Sequence, residues 1–161
     1  MGTANNILSL VSIAGVINGR TKFQKMVYIL KCKGVYFPEK FKYHHYGPFS
    51  LDLQLEIDEL VFNGLLSENG SLEPNPTYSY SISTKDQNNG EFLKYAELIT
   101  VLNSASIKVL ELTSTIFFLK NQEKITEKSI IIEKLKFLKP HLESYIDKAF
   151  DLETKIDSFN F

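Results

Sequence analysis

The sequence predicts a mainly α-helical protein with a small β-sheet: a winged-helix-like N-terminal half over residues 1–85, followed by a helical extension over residues 86–161 that packs on it. Three observations predict this. Apolar residues recur at three- and four-residue steps in blocks that end at glycine or proline, the spacing of one buried helix face. Between residues 65 and 82, the turn-forming Asn69-Gly70 and Pro74-Asn75-Pro76 separate two short runs suited to strands. Beyond Lys85 the spacing is helical to the end. With 161 residues, 43% of them hydrophobic, the chain can bury one core, so a single compact domain is expected.

The first helix is expected over residues 7–17, capped by Asn5 or Asn6 and ended by Asn18-Gly19. This apolar run lacks a basic leader and is too short to span a bilayer, which argues against a signal peptide and a membrane anchor. The lone Cys32 excludes an intrachain disulfide and fits a reducing cytoplasm; it is read as a small buried hydrophobe and not a nucleophile. In the second helix Thr21 is the expected cap, and Phe23, Met26, Val27 and Leu30 form the buried face. Lys22 and Lys25 fall off that face, and Gly34 is the stop.

A strand follows over residues 41–46, broken by Gly47-Pro48. Its period of two puts Phe41, Tyr43 and His45 on one face and Lys42, His44 and Tyr46 on the other, so the adjacent histidines point apart and make no metal site. Tyr46-Gly47-Pro48 is read as a structural corner: proline fixes its own φ and biases Gly47 away from helix, while Tyr46 anchors the strand end. Ser50 caps a third helix carrying Leu51, Leu53, Leu55, Ile57, Leu60 and Val61, which ends at Gly64. Leu65-Leu66 opens a strand, and Tyr78, Tyr80 and Ile82 alternate with serines in another; a helix followed by a two-stranded hairpin is the layout of a winged helix. Asn69-Gly70-Ser71 matches a glycosylation sequon, which matters only in a secreted chain.

In the C-terminal part Phe92, Ala96, Ile99 and Leu102 make one stripe, residues 107–120 and 126–139 are denser in apolar side chains, and Pro140 separates the last helix. There Leu142, Tyr145, Ala149, Leu152, Ile156 and Phe159 form a heptad seam of about two and a half repeats, shorter than a coiled coil needs. Packing within the chain is the expected use of the seam, and a homodimer contact is the alternative.

The combination Gly19-Arg20-Thr21, Phe23-Gln24-Lys25, Tyr46-Gly47-Pro48-Phe49-Ser50 and Gly64-Leu65-Leu66 resembles the YwgA-like family of small uncharacterised proteins. It is similar, more distantly, to the Panacea or SocA-like antitoxin domain, which shares a helix followed by a Tyr-Gly-Pro corner. The resemblance covers about the first half of the chain. It implies a winged-helix-like core and a regulatory or antitoxin-type role, and supplies no catalytic residues.

The formal charge of -1 hides a strong asymmetry. Residues 1–45 hold seven Lys or Arg against Glu39 alone, a net +6, and residues 46–76 hold six carboxylates and no Lys or Arg, a net -6. The helix before a wing is usually the one that enters the major groove. Here that helix is acidic, and DNA affinity rests on cations that displace counterions. Two function classes follow. In one, Arg20, Lys22, Lys25, Lys42 and His44, interleaved with tyrosines, bind DNA or RNA. In the other, Asp52, Glu56 and Glu59 on the acidic helix dock a basic protein partner. A solvated face is the bland alternative for both sets. No phosphate-cradling glycine loop, His-Glu-x-x-His, Cys-x-x-Cys or Gly-x-Ser-x-Gly is present, so a non-enzymatic protein without cofactor or metal is expected.

Overall fold

In the computed structural model, which describes residues 3–70, 77–83 and 90–161, the chain is mainly α-helical with a small antiparallel sheet. The elements are α1 (Thr3–Ala14), β1 (Ile17–Asn18), α2 (Arg20–Cys32), β2 (Lys42–His44), β3 (Gly47–Phe49), α3 (Leu51–Phe62), β4 (Leu66–Gly70), β5 (Tyr78–Ile82), α4 (Ala96–Ser104), α5 (Ile107–Asn121), α6 (Lys128–Leu138) and α7 (Ile146–Asp157). Short 3-10 turns at Phe92–Tyr95 and Pro140–Tyr145 lead into α4 and α7.

Several boundaries differ from those read in the sequence. α1 starts at Thr3, so Asn5 and Asn6 lie inside it and not at its cap position; the Asn6 amide donates to the Tyr36 carbonyl at 2.6 Å. The helix stops at Gly15, whose φ of 83° is the left-handed conformation that glycine adopts without a Cβ clash. That frees Ile17 and Asn18 to pair with Tyr80 and Ser79 of β5. The resulting sheet has the order β1-β5-β4, with β4 and β5 in register from Leu66 opposite Ile82 to Gly70 opposite Tyr78. Pro74-Asn75-Pro76 lies outside the described residues.

α2 begins one residue before Thr21, with Gly19 at the cap position and no side chain capping it. It is not one-faced: Phe23 to Leu30, eight consecutive residues, are all buried, Lys25 among them. The cause is tertiary, because α5, β3, α4 and β1 all pack on this helix and leave no solvated side in its middle. Gly34, at φ 95°, ends it as expected.

The strand read over residues 41–46 is a hairpin. β2 pairs with β3 through Lys42 opposite Phe49, Tyr43 opposite Pro48 and His44 opposite Gly47, so Gly47-Pro48 continues the sheet that it was expected to break. A two-stranded ribbon has open edges, where the N–H that proline lacks is not needed. The turn carries His45 and Tyr46 into solvent, and Tyr46 is 63% exposed, so it anchors nothing.

One core cluster joins α1, α2, α3 and β5 to Leu110, Phe117 and Phe118 of α5 and Ile156 of α7. A second gathers Leu112, Ile116 and Leu119 of α5 with α6, the turn before α7 and α7 itself. α5 divides them, which is why its ten residues from Leu110 to Leu119 are all buried. The C-terminal seam is occupied inside the chain: Leu142, Ala149 and Ile156 are buried, and Tyr145, Leu152 and Phe159 pack partly buried on the same clusters. Among the described residues no helix is long and apolar enough to cross a membrane.

Candidate functional site

Two of the motifs singled out in the sequence meet in space. Gln24 and Lys25 of α2 are each 1% exposed and face the segment that runs from β3 into α3. The Gln24 amide makes a reciprocal pair with the Ser50 backbone, donating Nε2 to its carbonyl at 2.8 Å and accepting its N–H at 2.9 Å on Oε1. Ser50 Oγ in turn accepts the Leu53 N–H at 3.1 Å, the cap that starts α3. Lys25 Nζ donates to the Pro48 carbonyl at 2.7 Å. From the far side Lys139 Nζ donates to the His45 carbonyl at 3.1 Å and pairs with Glu111 at 3.0 Å, both side chains being buried. A Cβ on Gly47 would stand 2.9 Å from Thr115 Oγ1, and its φ is 93°, so only glycine fits.

The electrostatics of this cluster follow from burial. Desolvation lowers the Lys25 ammonium from its ordinary 10.5 to about 7, with Glu111 opposing the shift and Lys139 adding to it. Burial also raises the Tyr43 phenol, reinforced by Glu111 and Glu123. The hydrogen bonds of both ammonium groups go to backbone carbonyls of the corner, and the arrangement positions residues 45–50 and the helix they launch. Lys25 is therefore placed where no phosphate can reach it, a correction to its reading as a surface cation.

The other cations of the expected basic face are dispersed. Arg20 stacks over the Tyr78 ring at 4.2 Å, donates Nε to Tyr80 at 3.0 Å and pairs with Glu68 at 3.4 Å. Tyr80 Oη donates to Glu68 at 2.6 Å, and burial followed by that bond raises its phenol. Lys22 Nζ donates to the Asn103 carbonyl at 2.7 Å, and burial lowers its ammonium. Both residues border a cleft of about 760 Å³ at the start of α2, lined also by Gly19, Asn69, Tyr78 and Ile107. Lys42 and His44 are exposed on β2. The His44 and His45 rings do not point apart; the turn brings them edge to face at 5.2 Å. Among the described residues no group of three His, Cys, Asp or Glu could hold a metal ion. Burial pushes the half-buried Cys32 thiol up, away from the reactive thiolate.

α3 presents a different surface. Leu53, Ile57 and Leu60 face the core, while Leu51, Leu55 and Phe62 are 63%, 57% and 88% exposed. The last three are four and seven residues apart and share one outer stripe. Asp52, Asp58 and Glu59 are exposed beside them, and Glu56 is half-buried. Leu51 and Leu55 were expected to contribute to the buried pattern, but the helix carries more apolar residues than one face can hold, and that surplus is the sequence signal for an outer stripe. Glu39, in the segment between α2 and β2, was not singled out in the sequence. Burial above all raises the pKa of its carboxyl, with the charges of Glu56 and Asp52 adding to the shift and a hydrogen bond from its own backbone and the Lys31 charge opposing it.

No family model matches the chain. The chain is similar to the uncharacterised protein YwgA of Bacillus subtilis (strain 168), being 36% identical over 147 aligned residues that cover 81% of this chain and 84% of that protein.

Proposed function

The chain belongs to the YwgA-like family, and from that premise we propose that it is a non-enzymatic regulatory protein of the antitoxin type, acting in the cytoplasm by docking a basic protein partner along α3. Leu51, Leu55 and Phe62 carry this reading: three large apolar side chains stand in solvent on a helix whose polar residues are carboxylates and Gln54. Clustered exposed apolar side chains mark interaction surfaces, a few large ones supply most of the affinity, and flanking charges choose the partner and speed its approach. A winged-helix-like frame suits the reading, because α3 is followed by the β4–β5 hairpin with β1 paired to β5, while the β2–β3 hairpin is inserted between α2 and α3. Its acidic face would repel phosphates.

The test is affinity capture from native cytoplasm with the parent chain and with a Leu55→Asp, Phe62→Ser variant. Both positions are exposed, so the variant should melt with the parent and lose a basic protein that survives nuclease treatment. Retention of the same partner by the variant would refute the reading.

A nucleic-acid role is the second reading, and the cleft beside Arg20 and Lys22 favours it: with Gly19 offering no capping side chain, the first backbone N–H groups of α2 are available to an anion there. On that reading log affinity for duplex DNA falls with log salt by about 0.9 per phosphate contacted, and Arg20→Ala with Lys22→Ala flattens the slope. Absence of binding at low salt disposes of it.

A further inference from the structure

The outer face of α3 has a counterpart on α6. In α3 Leu55 and Phe62 are 57% and 88% exposed, and the residue between them on the same side of the helix is Asp58, three after the first and four before the second. On α6 the core takes Ile131 and Leu135, while Ile130 and Phe137 are 40% and 85% exposed. Between these two on their stripe is Lys134, four after the first and three before the second. Each helix therefore shows solvent one charged side chain bracketed by two large apolar ones, and the charges are opposite. The surrounding charges follow the same division, α3 carrying four carboxylates and no cation, and α6 three lysines against Glu133. Neither central charge is held firmly within the chain. Asp58 accepts from the Gln54 amide at 3.0 Å on an exposed surface, and Lys134 stands 3.7 Å from Glu123 with both side chains nearly half exposed, a pair worth little in water. The inner side of α3 packs on one core cluster and that of α6 on the other, and the two outer stripes do not meet in one molecule, since both phenylalanines stand almost wholly in solvent.

On the reading that α3 is a docking face, we propose that its occupant in the isolated protein is α6 of a second copy, laid antiparallel so that Leu55, Asp58 and Phe62 meet Phe137, Lys134 and Ile130. Direction follows from spacing: α3 read forward steps by three and then four, and α6 makes the same steps only when read backward. Steps of three and four are those of a helix seam, in which side chains of one helix enter the gaps of the other. The apolar layers at either end bury two phenylalanines that the single chain leaves in water, and the Asp58 and Lys134 layer between them selects partner and direction. Because the contact joins two different surfaces, every pair of copies keeps one free α3 and one free α6, so growth continues to a ring or a filament. A foreign partner that takes α3 competes with it directly.

The experiment is sedimentation velocity on the full chain, diluted in steps from about 1 mM, the weak end of specific association. The parent should sediment faster as its concentration rises. Phe62→Ser and Phe137→Ser, both at exposed positions, should melt with the parent and each stay monomeric alone. An equal mixture of the two should form one-to-one dimers and grow no further, because one variant keeps an intact α6 and the other an intact α3. A parent that is monomeric throughout, or a mixture that stays monomeric, overturns the proposal. So does association that survives in Phe137→Ser, which would pair α3 with α3, or in Phe62→Ser, which would pair α6 with α6. Charge reversal tests the register without removing an apolar side chain: Asp58→Lys and Lys134→Glu should each weaken association by about tenfold, and the double variant should recover to within about threefold of the parent. A double variant as weak as the single ones overturns the antiparallel pairing. The docking reading of α3 is judged apart from this. A monomeric parent whose captured basic protein is lost in the Leu55→Asp, Phe62→Ser variant overturns the second copy alone, and a variant that keeps both its captured protein and its self-association overturns both.

Discussion

Replacing Gln24 by alanine asks whether α2 holds the start of α3 in place. The side chain makes two buried hydrogen bonds to one residue, one to the Ser50 carbonyl at 2.8 Å and one from its N–H at 2.9 Å, and Ser50 is itself 1% exposed. Truncation leaves the Ser50 N–H buried and unpaired, while the Ser50 carbonyl loses one of two bonds and keeps the Gln54 N–H at 3.2 Å. The orphaned N–H costs about 1–3 kcal/mol and the carbonyl's lost second bond about 0.5–1.5 kcal/mol, so the truncation costs about 1.5–4.5 kcal/mol. That is a large fraction of a total stability of about 5–15 kcal/mol. For a chain of this length each kcal/mol shifts the melting temperature by about 2–4 °C, which gives a fall of roughly 3–18 °C. Gln24→Glu sharpens the test. It keeps the acceptor for the Ser50 N–H but sets a carboxylate against the Ser50 carbonyl, so it should be as damaging at neutral pH and recover as the pH falls and the protonated acid regains a donor. Thermal melts followed by far-UV circular dichroism, with urea midpoints to check that the m-value is unchanged, measure both variants. A Gln24→Ala melting temperature within about 2 °C of the parent would refute the clamp.

Two further outcomes follow from the buried cluster and the C-terminal seam. Lys25 titrates near 7 in the fold against an ordinary 10.5, so between those values the unfolded chain binds a proton that the folded chain does not. Stability should therefore rise with pH across that window and be independent of Lys25 below it; urea midpoints of the parent should climb relative to those of Lys25→Met, and parallel profiles would contradict the shift. Ile156 is fully buried, and Ile156→Ala should cost about 2–5 kcal/mol at every protein concentration, because its contacts lie within the chain. A loss that varies on dilution would place the seam between two copies.

The sequence by itself determined the mainly helical class and the local signals that need no distant partner. Ser50 caps α3 because its own hydroxyl reaches the Leu53 N–H, Gly34 and Gly64 follow helix ends because they alone take positive φ cheaply, and Tyr78 to Ile82 forms a strand as its alternation required. Only the tertiary structure decided which faces water reaches. The spacing of α2 left Lys25 outside, yet α5, far along the chain, covers that side and turns the ammonium onto the Pro48 carbonyl. The basic face counted from composition is broken up in the same way: Lys22, Lys25 and Lys31 each direct the ammonium to a backbone carbonyl, of Asn103, Pro48 and Glu39 respectively. On α3 the packing chose Leu53, Ile57 and Leu60 and left Leu51, Leu55 and Phe62 outside, a choice that a helix with apolar residues on several faces does not record. Glu39 was the least legible of all, since its burial and the charges that act on it are set only when distant elements close over it.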